Sequence, residues 1–176
     1  LDQHHPEAQH PFFIDSLFHA APLHDVGKVA IPDSILLKPG ALTDDEFDVI
    51  KTHAAIGQQL LANAAAKLRA PSEFLHCAID MAGCHHERWD GKGYPNRLAG
   101  TDIPFCARVM AVADVYDALT SKRVYKKSMP HSKALAIIID GAGTQFDPSV
   151  VNAFLECEQE IMKICSQFIA AQGHSL

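Results

Sequence analysis

The strongest constraint on the fold is a helical spacing of apolar residues that recurs between clear start and stop signals. Thr43-Asp-Asp-Glu46 is a capping box, in which the threonine and the glutamate can each cap the other's backbone amide. Behind this box, apolar or small residues recur at steps of three and four, at Phe47, Ile50, Ala54, Gly57 and Leu61. The pattern predicts a long helix with one buried face.

Comparable signals predict further helices along the chain. They run from Phe12 to about Asp25 with Gly27 as a stop, from Ser72 to His85, from Pro104 to about Ser121, from Ser132 to Asp140, and onward from Asp147-Pro148. Between Trp89 and Thr101, several glycines and Pro95 predict a long loop. No segment shows a convincing alternation of apolar and polar residues. We therefore predict an all-α fold, a compact helical bundle of six or so helices.

Size and composition are those of one domain. The chain has 176 residues, of which 48% are hydrophobic, and no apolar run approaches the ~20 residues of a membrane span. We expect an irregular linker or truncated end at residues 1–11, where Pro6 and Pro11 disfavour a helix, and one domain at 12–176. No signal peptide is visible and the five cysteines form no CxxC pair, so we expect a cytoplasmic protein with reduced thiols. A net charge of −6 disfavours nonspecific binding to nucleic acid.

Six residues could together bind metal ions. They are four imidazoles and two carboxylates, each at or next to a predicted helix: His24, Asp25, His53, His85, His86 and Asp114. A set without thiolates suits iron, manganese, nickel, cobalt or zinc. Six ligands are too many for one tetrahedral ion, but they match two ions that share a carboxylate, for which Asp25 is the natural bridge. Two ions about 3.5–4 Å apart can activate a water and stabilise an in-line phosphoryl displacement.

Taken singly, each of these residues has a simpler interpretation. A His-Asp dipeptide is common by chance, the pair His85-His86 could be a polar helix end, and His53 could be a helix-surface residue. Asp114 is more informative, because it interrupts the apolar run from Val109 to Val115 and a carboxylate there needs a charged partner or a metal. The combination of residues, rather than any one of them, predicts a two-metal centre.

The same residues lie in motifs that resemble those of HD-GYP domains. The series begins with His24-Asp-Val-Gly-Lys28 and Lys51-Thr-His53. It continues with the stretch from His85 to the eponymous Gly93-Tyr94-Pro95, and with the run from Val112 to Ser121. The resemblance covers about residues 10–155, in the right order and spacing.

This resemblance implies an all-α, HD-type bundle with a long Gly-rich loop over the metal site. It implies metal-dependent hydrolysis of cyclic di-GMP to pGpG and onward to GMP, in bacterial second-messenger signalling. The same six residues would bind two divalent metal ions, with Asp25 and Lys28 in the catalytic role. The residues implied to contact substrate are Lys28, Tyr94, Asp117, Arg123 and Lys126. For Arg123 and Lys126, a solvated basic patch after a helix is the alternative.

The resemblance also suggests partners. GGDEF cyclase domains could contact the Gly93-Tyr94-Pro95 loop, and a receiver or sensor domain could lie upstream. Some members bind a third metal through a Glu and a His on a preceding helix; the residues before His24 do not show that pair, so two metals are expected. Two other functions stay open at this point. One is a non-catalytic module that senses cyclic di-GMP or docks a cyclase, and the other is a different HD-type nucleotide phosphohydrolase.

Overall fold

A computed structural model describes residues 12–70, 72–121 and 129–172, with side chains described as far as Cys165. Within these ranges the chain is helical and forms no strand, so the prediction of an all-α fold is confirmed. The α-helices are α1 (Phe13–Ala20), α2 (Asp33–Leu36), α3 (Asp44–Ala65), α4 (Glu73–Cys84), α5 (Phe105–Thr120), α6 (His131–Asp140), α7 (Pro148–Glu156) and α8 (Glu158–Gln172). Short 3-10 segments lie at Ala21–Leu23, Val26–Ala30 and Gly100–Asp102. No helix in the described ranges is both long and apolar enough to span a membrane.

Two of the predicted helix starts, those of α3 and α7, are confirmed by their caps. The backbone N–H of Glu46 donates to the Thr43 hydroxyl at 3.2 Å, and the N–H of Thr43 donates to the Glu46 carboxylate at 2.8 Å. This is the predicted capping box, and it begins α3. Asp147 likewise accepts the N–H of Ser149 at 2.8 Å and begins α7.

The first and last helices were predicted with the wrong extent. The first ends at Ala20 rather than near Asp25, because Pro22 has no N–H to continue the hydrogen bonding and its ring disfavours a helix. His24 and Asp25 therefore lie on a turn between two 3-10 segments. At the other end, the helix after Asp147 is two helices, α7 and α8, which are separated at Cys157.

The buried side chains form two main clusters. One lies among α1, α3 and α4 and includes Leu61 and Met81. The other lies among α5, α6 and α7 and includes Ile138 and Phe146. Phe13 of α1 packs against both clusters, and its ring stacks on that of Phe105 with 5.5 Å between centroids. The two halves of the domain therefore meet where α1 and α4 face α5.

Helices α3 and α4 approach closely because their facing residues are small. Ala54 of α3 and Ala78 of α4 are completely buried. A β-carbon on Gly57 would lie only 3.5 Å from the β-carbon of Ala82. Small residues at a contact reduce the distance between helix axes. This close packing places His53 in the middle of α3 near His85 at the end of α4.

A buried ion pair joins α5 to the start of α7. The Arg108 guanidinium donates to the Asp147 carboxylate at 2.7 Å and to the carbonyl of Ile103 at 2.9 Å. The two charged side chains are only 5% and 3% exposed. Burial alone would raise the pKa of Asp147, but hydrogen bonds from Ser149 and Arg108 lower it. The carboxylate is therefore ionised. It pairs with Arg108 of α5 and also caps the start of α7.

We predict that Asp147→Ala lowers the free energy of unfolding by about 3–5 kcal/mol, because it leaves the Arg108 guanidinium buried without its carboxylate. Urea denaturation followed by circular dichroism measures the change. The matched control is Asp48→Ala, which removes an exposed ion pair with Lys51 and should cost less than about 1 kcal/mol. Equal costs for the two variants would contradict this interpretation.

Candidate metal centre

The carboxylate of Asp25 lies at the middle of a cluster of histidines. Its Oδ1 is 3.3 Å from Nε2 of His53 and 3.9 Å from Nε2 of His85. Its Oδ2 is 3.2 Å from Nε2 of His24. The three rings come from the turn after α1, from α3 and from the end of α4. One carboxylate thus presents a different oxygen to each of two sets of imidazoles, which is the arrangement expected of a bridging ligand.

The remaining two predicted ligands lie beside this carboxylate. His86 belongs to a group with Asp25, His53 and His85 in which one ligand atom from each residue lies within 4.8 Å of all the others. Asp114 approaches from α5, and its Oδ1 is 3.9 Å from Nε2 of His24. The structure therefore brings all six residues together. Their role as metal ligands stays a prediction.

Three of the histidines are oriented by hydrogen bonds to the backbone. In each, Nδ1 lies within hydrogen-bond distance of a carbonyl oxygen three or four residues earlier. The pairs are His24 with Ala21 at 2.7 Å, His53 with Ile50 at 2.6 Å, and His85 with Met81 at 3.0 Å. A carbonyl oxygen only accepts, so Nδ1 carries the hydrogen and Nε2 of a neutral ring keeps its lone pair. Metal-binding histidines are usually oriented in this way, so the residues fit a divalent transition metal.

Gly27 allows the turn that carries Asp25 to lie directly on α3. A β-carbon at Gly27 would lie 2.0 Å from the carbonyl oxygen of His53 and 2.6 Å from the amide nitrogen of Gly57. No other residue type fits at this distance, because both neighbours are backbone atoms of a helix. The sequence motif His24-Asp-Val-Gly-Lys28 therefore places its own carboxylate beside His53 of α3.

Charges in the cluster favour an ionised Asp25 and neutral histidines at the end of α4. Burial alone would raise the pKa of Asp25, but hydrogen bonds from His24 and Lys28 hold it well below its usual range. Burial, with a smaller effect of the charge on His24, lowers the pKa of His85 to about 4. Burial and the charge on His85 lower the pKa of His86 to about 3. These are the protonation states in which carboxylates and imidazoles bind metal ions.

The predicted substrate residues have different surroundings. The ammonium of Lys28 lies 2.5 Å from Oδ2 of Asp25, and the ring of Tyr94 stacks on that of His86 with 4.7 Å between centroids. Asp117 is exposed on α5 and accepts a hydrogen bond from the Ser121 hydroxyl at 2.8 Å. Arg123 and Lys126 lie outside the described residues.

Comparison with known proteins agrees with the motifs and the fold. The family model for the HD domain matches residues 11–150 of this chain. The chain belongs to the HD domain family. Its high-identity relatives bear out the resemblance to HD-GYP domains.

A cyclic di-GMP phosphodiesterase of Vibrio cholerae is 56% identical over 158 residues, which cover 90% of this chain and 32% of the relative. A cyclic di-GMP phosphodiesterase response regulator of Xanthomonas campestris is 48% identical over 154 residues, which cover 88% of this chain and 39% of the relative. The chain thus spans about a third of the length of these curated relatives. The crystal structure of a cyclic GMP-AMP-specific phosphodiesterase from Vibrio cholerae superposes with a TM-score of 0.51 at 22% identity, covering 82% of this chain and 38% of that one. At that identity it supports the fold alone.

Glu87 links the histidine pair of this HD domain to the Gly-rich loop, and sequence reasoning did not single it out. Its side chain is almost completely buried, and its carboxylate accepts the N–H groups of Asn96 at 2.7 Å and Leu98 at 3.1 Å. A β-carbon on Gly93 would lie 2.5 Å from Cα of Glu87, so the loop passes directly over this residue. The sequence does contain one indication of this role: Glu87 is a charged residue that directly follows His85-His86 and precedes the glycine-rich loop.

A pocket of about 230 Å³ lies between the Gly-rich loop and α5, beside the candidate metal centre. His86, Tyr94 and Asp114 line the side toward the centre. Gln145, from the turn between α6 and α7, lines another part of the wall and was also missed by sequence reasoning. The pocket extends the candidate site beyond the predicted ligands.

We predict that Gly27→Ala weakens metal binding at least tenfold, because the added methyl group pushes Asp25 away from His53. Perturbing the residues that orient a ligand typically costs about 10–100-fold in metal affinity. Mn²⁺ titration of metal-free protein, followed by metal analysis, measures the effect.

The control for this experiment is Gly83→Ala on α4, where the added methyl group meets only the side-chain end of Gln58. That side chain can move, so Gly83→Ala should retain the metal. Equal metal affinity in the two variants would argue against the role given to Gly27.

We predict that the metal-free protein loses stability as the pH falls from about 7 to about 5. The folded protein keeps His85 and His86 neutral because of their lowered pKa values, whereas the unfolded chain protonates both below its own pKa of 6.5. The unfolded state then binds more protons, so the free energy of unfolding falls with pH. The pKa of His24 is raised in the folded protein, so protonation of this residue stabilises the fold as the pH falls and opposes the loss.

Urea denaturation at the two pH values measures this loss. In His86→Ala, one of the two neutral imidazoles is gone, so the loss between the two pH values should be smaller than in the wild type. If both proteins show the same pH dependence, the loss of stability does not come from the neutral imidazoles of His85 and His86.

Proposed function

We propose that this chain is the catalytic domain of a bacterial phosphodiesterase that hydrolyses cyclic di-GMP to pGpG, with GMP as a further product. The observation that carries this proposal is the position of Asp25, with Oδ1 facing His53 and His85 and Oδ2 facing His24. The two high-identity relatives, which are named as cyclic di-GMP phosphodiesterases, support the choice of substrate.

The donor set favours a binuclear centre of divalent transition metals, with iron, manganese or nickel as the best candidates. His53, His85 and His86 would hold one ion and His24 and Asp114 the other, with Asp25 shared between them. When bound, such a pair of ions supplies a water of lowered pKa and neutralises charge on a phosphoryl group.

The residues of the chain would bind and orient the phosphodiester. In the reaction, a water oxygen bonds to phosphorus, the bond from phosphorus to the 3′-oxygen breaks, and that oxygen leaves with a proton. Lys28 carries its ammonium group beside Asp25, where it can turn to a non-bridging phosphate oxygen of the substrate. Asp25 keeps its negative charge throughout because its pKa is lowered by His24 and Lys28.

The other substrate residues would act around this centre. Tyr94, held against His86, contacts the substrate from the Gly-rich loop. Asp117 offers an exposed carboxylate that suits the N–H donors of guanine. The guanidinium of Arg123 suits a phosphate or a guanine edge, and Lys126 adds a second positive charge nearby.

We also propose a cytoplasmic signalling context. The described cysteines are free thiols, of which Cys77, Cys84 and Cys106 are buried, as is usual in a reducing compartment. The Xanthomonas relative is named as a response regulator, which supports an upstream receiver domain for this chain. A GGDEF cyclase domain is a candidate partner for the Gly93-Tyr94-Pro95 loop.

The proposal predicts that Asp25→Ala lowers the turnover of cyclic di-GMP by about a thousandfold or more, since one residue contributes to both metal positions. It also predicts loss of bound metal. Chromatography of the products and metal analysis of anaerobically purified protein measure the two effects. Asp48→Ala, an exposed carboxylate on α3, is the control and should keep both activity and metal.

The same assay separates the other functions. Turnover retained in Asp25→Ala with metals still bound would contradict the mechanism. If the wild-type protein hydrolyses cyclic GMP-AMP in preference to cyclic di-GMP, the proposed substrate is wrong. Tight binding of cyclic di-GMP by metal-loaded wild-type protein without any product would identify a sensing module instead.

A further inference from the structure

The turn between α6 and α7 holds Gln145 at a fixed place in the wall of the pocket. Its backbone N–H donates to the carbonyl of Gly141 at 2.9 Å, and its carbonyl accepts the N–H of Trp89 at 3.2 Å. The next residue, Phe146, is only 1% exposed and anchors the turn in the core. The backbone of Gln145 is therefore constrained both by its own turn and by the Gly-rich loop.

The side chain of Gln145 has no such constraint. Among the described residues, its amide group makes no hydrogen bond, although the residue is half-buried and lines the pocket. A carboxamide has two N–H donors and one acceptor oxygen, and polar groups of partly buried residues usually have partners. A rigid turn thus presents an amide with unused hydrogen-bonding capacity to a pocket beside the metal centre.

The size and walls of the pocket suit one planar ring. At about 230 Å³ it is smaller than the ~300–1,000 Å³ typical of sites that enclose a whole drug-sized ligand, so it would admit one part of a dinucleotide. Ala111 and Val115 contribute apolar surface and Tyr94 contributes an aromatic ring. Apolar and aromatic walls with a few polar groups are typical of pockets for heterocyclic bases.

The charges around the pocket disfavour a phosphate. Arg88 is already paired with Asp90, through two hydrogen bonds of 3.1 Å and 3.0 Å. Lys92 is 80% exposed at the rim, and its amine is 4.0 Å from the same carboxylate. Asp114, also in the wall, contributes a carboxylate and no positive charge. An uncharged ligand with donors and acceptors along one edge fits these surroundings better.

We propose that this pocket holds one nucleobase of the substrate, with the amide of Gln145 hydrogen-bonded to the edge of the base. The inference rests on the proposed function in taking the substrate to be a cyclic dinucleotide. The amide can pair with N1–H and O6 of guanine or, with its two ends exchanged, with N1 and the amino group of adenine. Gln145 therefore contributes affinity for a base and does not by itself distinguish the two purines.

The test compares Gln145→Ala with wild-type protein on two substrates in the metal-loaded chain. For cyclic di-GMP, the KM and the Kd should rise about 3- to 10-fold, as expected for the loss of one or two hydrogen bonds, with kcat within about twofold. Hydrolysis of bis(p-nitrophenyl) phosphate, a diester without a base, should not change. Gln59→Ala is the matched control, because Gln59 is exposed on α3 and bonds only to Asn63 among the described residues.

The other possible results of this experiment also decide whether the pocket binds a base. An unchanged KM and Kd for cyclic di-GMP in Gln145→Ala would overturn the proposal, as would an equal loss on both substrates, which indicates damage to the metal centre. If the wild type binds cyclic di-GMP without hydrolysing it, the catalytic function fails, and the change in Kd by calorimetry alone decides the pocket. If the wild type binds no cyclic dinucleotide, both proposals fall.

Discussion

The contact of the Gly27 backbone with the backbone of α3 is the constraint on which the candidate centre depends. It sets the distance from Asp25 to His53, because the turn has no side chain to separate it from the helix. Gly57 of α3, which the Gly27 backbone approaches, also lies against Ala82 of α4. The turn, α3 and α4 are thus held at nearly backbone-to-backbone distance. The cluster of ligands is a product of small residues as much as of histidines.

Gathering imidazoles and carboxylates in this way has an electrostatic cost that local contacts reduce only in part. His85 and His86 are neutral because burial makes their charged forms unfavourable. Asp25 keeps its charge because Lys28 and His24 surround it. The site therefore keeps its imidazoles neutral at the expense of the stability of the fold at low pH. Such a compromise is common where a fold must keep ligands oriented in advance.

The sequence predicted what depends on local chemistry. The cap of α3, the class of fold and the residue types of the candidate ligands can all be predicted from the sequence around them. The helix break at Pro22 could also have been predicted, but the helical spacing of the residues around it favoured one continuous helix. The position of Gln145 beside Trp89 could not be predicted, because it depends on how distant segments pack. The hydrogen bond from Trp89 to Gln145 joins residues far apart in the chain, and no pattern in one sequence indicates it.

The hydrogen bonds of Glu87 have a consequence for communication within the domain. His86 precedes this residue directly, and its own carbonyl accepts the N–H of Tyr94 at 3.3 Å. The Gly-rich loop is therefore joined to the backbone around His86 at two points, through the Glu87 carboxylate and through the N–H of Tyr94. A displacement of the loop would therefore pull on the backbone that carries the imidazole of His86. If a partner that binds the outer face of the loop moves it in this way, thermodynamic reciprocity requires that a ligand on His86 would change the affinity for that partner by the same factor.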